Sequence, residues 1–572
     1  MTLLGLAGLL LLSLVGPALS DIPRSRVPVV VGELAAGAVI GNSGLRWAHP
    51  SDRVFSFLAE AGFALVMMVV AGGLALTIRT QLAQPQLHVL TNDRYDQFFT
   101  IHGSLMIYMV MTPFAIGMGL YLVPLQIGAP NVAAPRTTMF SFWLYATGAV
   151  VMLSGFFTDS GAADHGWYAY PPLATGRFTP GQGVDLWIVG VALTGLGMLI
   201  MAGTVLWTAL LKRAPGVTML RLPVFSWSVV ASNLMVIGAF PSLLAAVGIL
   251  AIGRVRPDLF THNAWNIGYQ DVFWFFGHPV VYVMFFPYVG AIAEVIATFA
   301  GRKFFGYKFF VVSQLLFAAL SMSVWGHHMF TTGQSSNYYF SLTSIALVIP
   351  AGIEYFDLLA TLVGGRLRFP TAMLFGLAFI PQFLIGGLTG IMAGTPALDY
   401  QIQDSYFLVA HWHYTLAAGS LFGLFAAVYF WFPKATGRML REGLGKAHFW
   451  LWFVGTNLTF LPMFWLGFHG MPRRIPTYLP ADGFTTENLI SSIGAALLGL
   501  GAMVFIVNVA ESLGRPRYAG ADPWQGHTLE WATSSPPPTF NFSARYPIPP
   551  VHSYAPLLDL RKEREQLRSA VG

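Results

Sequence analysis

The sequence predicts an all-α integral membrane protein, a bundle of twelve membrane-spanning helices with an extra apolar segment before it. Of its 572 residues, 55% are hydrophobic and only 10% are charged, whereas a soluble domain carries about 25% charged residues. Apolar runs of about 20 residues, long enough to cross a bilayer, recur along the chain. The connections between them are short, which favours one compact bundle.

The twelve candidate spans set the predicted domain organisation. A membrane bundle is expected over residues 49–515, and a polar, Pro-rich tail of irregular structure over residues 516–572. The predicted spans are 55–78, 98–124, 138–157, 184–210, 226–253, 270–298, 308–328, 338–362, 371–392, 407–433, 448–469 and 488–511.

Basic residues predict the orientation of the bundle. They cluster in the connections after the fourth, sixth, eighth and tenth spans, so these connections and the tail should be cytoplasmic. The net charge of +6 therefore reflects topology and does not indicate a nucleic-acid partner. A few cations fall on the opposite, outer side, where a local role is expected: Arg254, Arg256, Arg473 and Arg474.

Residues 2–20 form a further apolar run that ends in small residues, as a signal peptide does. It lacks the basic region that precedes such a segment. Four arginines follow it (Arg24, Arg26, Arg46 and Arg53) and favour a cytoplasmic linker before the first core span. An uncleaved extra span within residues 1–48 is therefore preferred. The expected location of this multi-pass protein is a bacterial inner membrane.

Six histidines lie inside the apolar segments, where ionisable side chains are rare and usually do chemistry. Imidazole is a common ligand of copper and of haem iron. The chain has no cysteine, which excludes thiolate and iron–sulfur ligation within it. The pattern predicts a redox metal centre inside the bilayer, built from His102, His278, His327, His328, His411 and His413.

Three of these histidines suit a copper site. His278 and Tyr282 are four residues apart and share one helix face, while His327 and His328 are adjacent at the end of the next span. Three neutral imidazoles can hold copper and leave a coordination position open. The alternative is a set of histidines that only hydrogen-bond between helices, which an adjacent pair plus a third residue disfavours.

The other three histidines suit two haems. His411 and His413 are two residues apart, about 200° around a helix, so their rings should serve partners on opposite sides. His102 could complete a six-coordinate haem with His413. His411 would then hold a five-coordinate haem that faces the copper.

Several motifs together resemble those of subunit I of the haem–copper terminal oxidases. The resemblance extends from about residue 55 to 545 and is closest to the large, mitochondrial-like branch. The motifs are YDQFFTIHG, VPLQIGAPN, GHPVVYV, WGHHMFTTG, DSYFLVAHWHY, NLTFLPMFWLGFHGMPRRIPTY and HTLEWATSSPPPTFNF.

The resemblance implies two haems and a copper ion, and it assigns roles to residues. His102 and His413 would be the axial ligands of a low-spin haem and His411 that of a high-spin haem, while His278, His327 and His328 would bind the copper. Tyr282 would be joined covalently to His278 and supply an electron and a proton to dioxygen. The resemblance places the remaining residues as follows: Arg473 and Arg474 at the haem propionates, Asp399 near them, Arg79 beside the low-spin haem, Trp167 near the active site, and Gln403 and Asp404 at an outer magnesium site.

The sequence departs from the family where protons enter. Val280, Asn131 and Leu120 stand where the family has a glutamate, an aspartate and an asparagine. Glu354 replaces the family's lysine on the eighth span, with Glu294 on the sixth. We therefore expect an altered proton route through Glu354 and Glu294 to Tyr282. The alternative is that Glu354 only caps or pairs near a helix end.

The resemblance implies reduction of dioxygen to water by a respiratory complex. A nitric oxide reductase is the alternative, although that branch lacks the tyrosine and uses iron; a non-redox transporter would not explain the histidines. Of the quinol-site positions Val70, Leu74, Arg94 and Gln97, only the last agrees with quinol-using relatives. Electrons are therefore expected from a cytochrome c or a cupredoxin through a dinuclear copper centre in subunit II, with subunit III a further expected partner.

Overall fold

The computed structural model describes residues 53–261, 263–515 and 517–571, so the expected extra span at residues 2–20 lies outside them. Within these ranges there is no β-strand, only isolated bridges, and twelve helices are long and apolar enough to cross a membrane. The predicted all-α integral membrane fold is confirmed. The spans are α1 Gly62–Gln81, α2 Asn92–Gln126, α3 Pro135–Phe157, α4 Gln182–Leu211, α5 Val224–Val255, α6 Ala264–Ala300, α7 Tyr307–Thr332, α8 Asn337–Leu362, α9 Thr371–Ala393, α10 Tyr406–Thr436, α11 Glu442–Phe468 and α12 Thr485–Gly514.

Three helices form the centre of the bundle. The apolar stretches of α2, α6 and α10 are 83%, 89% and 78% buried inside the protein, whereas only 22% of α1 and 28% of α12 are buried. Helices that are apolar on every side suit both the centre and the lipid-facing edge of the bundle, because lipid and protein core are equally apolar. The three central helices carry four of the six intramembrane histidines.

The regular helix is interrupted beside the histidines. π-Helical segments at Leu105–Met111 and Leu416–Ser420 begin three residues after His102 and after His413. Such segments are rare and often occur at functional sites. In α6, the helix that ends at Gly277 restarts at Pro279, because proline lacks the N–H that would continue the ladder.

The C-terminal tail is more ordered than predicted. It contains a 3₁₀ turn, Leu529–Ala532, and a helix, α13, Pro556–Val571. The tail folds over what we call the inner end of the bundle, the end that carries the connections after the even-numbered helices. The rings of Tyr554 and Tyr307 stack there with centroids 4.0 Å apart. The expectation of irregular structure throughout the tail was wrong, because tertiary contacts with the inner end stabilise these turns.

The lone cations on the outer side have local partners. Arg254, of which only 9% of the side chain is exposed, pairs with Asp185 at 2.6 Å and donates to the carbonyl oxygen of Gly181 at 2.7 Å. Arg256 pairs with Asp258 at 2.8 Å on the surface. Arg254 therefore fixes the loop before α4 against the end of α5. This is the local role that a cation on the outer side was expected to have.

Candidate metal centre

Three histidines converge between α6 and α7. The Nε2 atom of His328 lies 3.2 Å from His278 Nδ1 and 3.2 Å from His327 Nε2, and one nitrogen of each ring lies within 4.8 Å of the others. Two imidazole nitrogens that bind one ion at about 2 Å are about 3.3–3.5 Å apart. Among the described residues this is the one group of three metal-ligating side chains that could hold an ion.

Neighbouring side chains fix these three rings. Ser344 Oγ donates to the carbonyl oxygen of Phe340, so it accepts from His327 Nδ1 at 2.7 Å. The indole of Trp274 stacks on His328 with centroids 3.9 Å apart. The protonated nitrogen of His327 is thereby held away from the cluster, which leaves Nε2 unprotonated and free to bind a metal.

Tyr282 adjoins the cluster, one helical turn toward the inner end from His278. Their ring centroids are 4.8 Å apart. The ring of Tyr282 also packs against Phe317 of α7, with centroids 4.7 Å apart. The phenol therefore lies between the histidines and the inner half of the bundle.

His102 and His413 face one another across the gap between α2 and α10. Their rings are nearly parallel, with an interplanar angle of 7° and centroids 6.4 Å apart. His102 Nδ1 donates to the carbonyl oxygen of Ala71 at 2.9 Å, and His413 Nδ1 donates to that of Val409 at 2.7 Å. Each Nε2 is thereby left unprotonated. Two imidazoles that share one metal at about 2 Å have centroids about 6 Å apart, which fits this pair.

His411 points to different neighbours. Thr389 Oγ1 donates to the carbonyl oxygen of Ile385 and accepts from His411 Nδ1 at 3.0 Å. A methyl group at Gly390 would come within 3.1 Å of the His411 ring, so α9 passes close beside it. His411 and His413 therefore serve separate surroundings, and His411 also keeps an unprotonated Nε2.

Two adjacent arginines lie above the histidines on the outer side. Arg473 pairs with Asp404, its Nε donating to Oδ1 at 2.5 Å, and its guanidinium lies 4.8 Å from the Trp412 ring centroid. Burial lowers the pKa of Arg474 to about 10, although Asp96 opposes this. Arg473 Nη1 and Arg474 Nη2 are buried without hydrogen-bond partners among the described residues. Two buried cationic donors of this kind suit carboxylate groups of a bound molecule.

Arg79 lies against α12 and Trp167 lies against α6. Arg79 is 7% exposed and donates from Nη2 to Asn488 Oδ1 at 3.0 Å, while its Nε and Nη1 make no hydrogen bond within the described chain. Trp167 packs on Trp274 with centroids 5.7 Å apart, and Trp274 in turn stacks on His328. The Trp274 ring therefore lies between Trp167 and the three-histidine cluster.

The two acidic residues predicted at the outer site, Asp399 and Asp404, lie in different surroundings. Asp399 is 2% exposed; burial raises its pKa to about 7, Asp404 adds to this and Arg473 opposes it. The side chain of Asp404, by contrast, is 64% exposed and forms an ion pair with Arg473. Gln403 follows the short helix Pro396–Ile402, and its backbone N–H donates to the carbonyl oxygen of Asp399 at 2.7 Å. Magnesium at Gln403 and Asp404 stays a prediction.

Glu354 lies in the middle of a helix and not near its end. The helical segment is Val348–Leu362, Glu354 is 3% exposed, and no ion pair of the described residues includes it. Ser313 Oγ of α7 donates to Glu354 Oε1 at 3.5 Å. Neighbouring Gln314 is fully buried; its amide lies beside Glu354, and neither amide atom makes a hydrogen bond of good geometry within the described chain. Glu294 is also buried, but closer to the inner end of α6.

Ser344 and Thr389, the hydroxyl groups that orient His327 and His411, were missed from the sequence. Single hydroxyl residues are common in apolar helices, so neither carries a distinctive sequence signal. Their role becomes visible only when the helices are packed.

Comparisons with known proteins agree with this architecture. Residues 58–497 match the family described as cytochrome c and quinol oxidase polypeptide I. A probable cytochrome c oxidase subunit 1-beta of Nocardia farcinica is 45% identical over 522 residues, which cover 89% of this chain and 87% of the relative. A cytochrome c oxidase subunit 1 of Corynebacterium diphtheriae is 43% identical, with 96% of each chain covered.

A solved structure shares the fold. A chain of a haem–copper terminal oxidase dimer, determined by cryo-electron microscopy, superposes with a TM-score of 0.67. The match covers 82% of this chain and 85% of that one, at 18% sequence identity. At that identity the likeness speaks for the fold alone.

Proposed function

The chain belongs to the cytochrome c and quinol oxidase polypeptide I family and is the catalytic subunit of a haem–copper terminal oxidase; on this premise we propose which residues hold its cofactors and carry its protons. The family implies haems and a copper ion in the membrane bundle, and oxidase partners such as a subunit II. A nitric oxide reductase is not favoured, since the named relatives are cytochrome c oxidases.

The three-histidine cluster is the copper site in this proposal, and its geometry is the observation that carries it. The 3.2 Å separations between ring nitrogens fit one ion. The nitrogen of His327 that is not needed for ligation is tied to Ser344. Three neutral imidazoles and no thiolate suit a copper ion with an open position.

His102 and His413 hold the low-spin haem and His411 holds the high-spin haem. Support comes from the parallel rings 6.4 Å apart and from the oxygen acceptors on all three Nδ1 atoms, which leave Nε2 for iron. The guanidinium nitrogens of Arg473 and Arg474 that make no hydrogen bond among the described residues suit haem propionates. Arg79 suits a polar substituent of the low-spin haem. Trp167 lies near the active site, and Asp399 lies near the haem propionates.

The bound cofactors supply the electron transfer and the dioxygen chemistry, and the chain supplies the protons. Tyr282, beside His278, donates a proton and an electron to the reaction. A proton reaches it from the inner side through Glu354, which Ser313 contacts at 3.5 Å, with Glu294 nearer the inner end. The amide of buried Gln314, which lies beside Glu354 but makes no hydrogen bond of good geometry among the described residues, supports a hydrated path in this region.

The complex works in a bacterial inner membrane, with residues 49–515 as the catalytic bundle and residues 516–572 on the cytoplasmic side. Electrons arrive from a cytochrome c or a cupredoxin through a subunit II, which provides the cysteines that this chain lacks. Subunit III is a further partner.

Metal analysis of the purified complex tests the proposal. We expect copper in this chain beyond that of subunit II, two haems by pyridine haemochrome spectra, and consumption of dioxygen with reduced cytochrome c. Non-haem iron in place of this copper, with nitric oxide as the preferred substrate, would contradict it.

A further inference from the structure

A buried carboxyl group of the C-terminal tail lies at the inner end of the bundle. Glu530, in the 3₁₀ turn Leu529–Ala532, is fully buried. Its Oε1 atom accepts hydrogen bonds from Gln126 Nε2 at 3.2 Å, Trp431 Nε1 at 3.0 Å and Thr528 Oγ1 at 2.8 Å. The donors belong to α2, α10 and the tail, so this carboxyl joins the tail to the centre of the bundle.

The second oxygen of Glu530 has no hydrogen-bond partner among the described residues, although it is buried. A bare carboxylate oxygen is costly in the interior, so such an atom calls for a proton or an ordered water. Burial raises the pKa of Glu530, against the opposing effect of its three donors. An anchor for the tail needs the three donors on Oε1, but it does not account for the free Oε2.

Glu294 is the second buried acid in this region. It is 5% exposed, and its Oε1 accepts a long hydrogen bond of 3.4 Å from the backbone N–H of Phe225, with the backbone of Val224 also beside the carboxyl group. The Phe225 ring packs on Trp431, the donor to Glu530, with centroids 5.1 Å apart. The two carboxyls are close enough to act on each other electrostatically.

Among the described residues, no cation neutralises this pair directly. No ion pair of the described chain includes either acid. Lys434 is electrostatically coupled to Glu530, but its ammonium donates to the carbonyl oxygens of Ala521, Thr533 and Ser534. Two phenols also face Glu294 electrostatically, those of Tyr307 and Tyr554, and both already donate to carbonyl oxygens.

We infer that Glu294 and Glu530 together form a proton-holding site at the inner end of the bundle, which takes up protons from the cytoplasmic side. This inference rests on the proposed function, in which Glu294 belongs to the proton route. Two carboxylates in a low-dielectric site do not both ionise, so the pair retains one proton. A proton from cytoplasmic water adds to a carboxylate oxygen, and one leaves from the pair toward the interior, so the pair returns to its starting charge.

Infrared titration of the assembled complex tests the site without turnover. We expect the pair to give a protonated carboxylic-acid band at neutral pH that disappears at high pH, and subtraction of the spectrum of the double variant separates it from the bands of other protonated acids such as Glu354. Glu294→Gln and Glu530→Gln should each move that disappearance to lower pH by about 1–3 units, because a neighbouring like charge is removed. The double variant should lack the band. Glu511→Gln is the matched control, because that inner-end acid pairs with Arg441 at 3.0 Å and its loss should leave the band unchanged.

Proton uptake by reconstituted vesicles during turnover tests the role. Glu294→Gln should slow uptake by about tenfold, which is less than the roughly 10²–10⁴-fold contribution usual for an acid–base group, and Glu511→Gln should leave the uptake rate unchanged. A band that neither variant moves, or an unchanged uptake rate in Glu294→Gln, would overturn the inference. If Glu530→Gln fails to assemble, Glu294→Gln alone decides by the same readouts. Unaltered turnover in Glu354→Gln would instead refute the proposed route beyond the pair.

Discussion

Replacement of Glu354 by glutamine should stop proton delivery while leaving the fold intact. Glu354 is 3% exposed in mid-helix, and a charged group at that depth costs about 2.5–3.5 kcal/mol. That cost shifts the ionisation equilibrium about 70- to 400-fold toward the neutral acid, relative to a carboxyl group in water. Glutamine has nearly the shape of the neutral acid and can accept the Ser313 hydrogen bond, but it has no proton to exchange.

The magnitude follows from the loss of one relay group. Acid–base groups contribute about 10²–10⁴-fold, so turnover of Glu354→Gln should fall by at least about 100-fold, or about 2.7 kcal/mol in the barrier. The assay is dioxygen consumption by the purified complex with reduced donor, after haem spectra have shown normal assembly. Glu354→Asp is the matched control, since it retains a carboxyl group and should keep an intermediate rate. Turnover of Glu354→Gln equal to that of the unmodified complex would refute the reasoning.

Two further substitutions probe supporting residues. Ser344→Ala removes the acceptor that orients His327 and should weaken copper binding by about 10- to 100-fold, measured by competition with a copper chelator; unchanged copper retention would contradict this. Lys434→Met removes three charge-assisted hydrogen bonds to the tail, each of about 1.5–3 kcal/mol. Hydrogen exchange at residues 521–534 should then rise by about 100-fold or more with haem content unchanged, and exchange as slow as in the unmodified protein would show that other contacts hold the tail.

The sequence was sufficient to predict the spans, because about 20 apolar residues in a row have few other uses. It also divided the histidines, since the two-residue spacing of His411 and His413 fixes opposite directions on a helix. In the structure, His413 faces His102 whereas His411 contacts Thr389.

The sequence was not sufficient where contacts between distant segments decide. The π-helical segments after His102 and His413 carry no local signal, because tertiary packing determines where the extra residue is accommodated. The tail looked irregular from its Pro-rich composition. Its turn at Glu530 is held by Gln126 and Trp431, about 400 and 100 residues away in the chain, and no local pattern predicts such partners.

Cofactor content of two histidine variants tests the central claim, the division of the six histidines, most directly. The account predicts that His328→Asn loses the copper of this chain and keeps both haem spectra. It predicts that His413→Asn loses the low-spin haem spectrum and keeps the copper. Loss of copper from His413→Asn with the low-spin spectrum intact, or retention of copper in His328→Asn, would contradict the assignment.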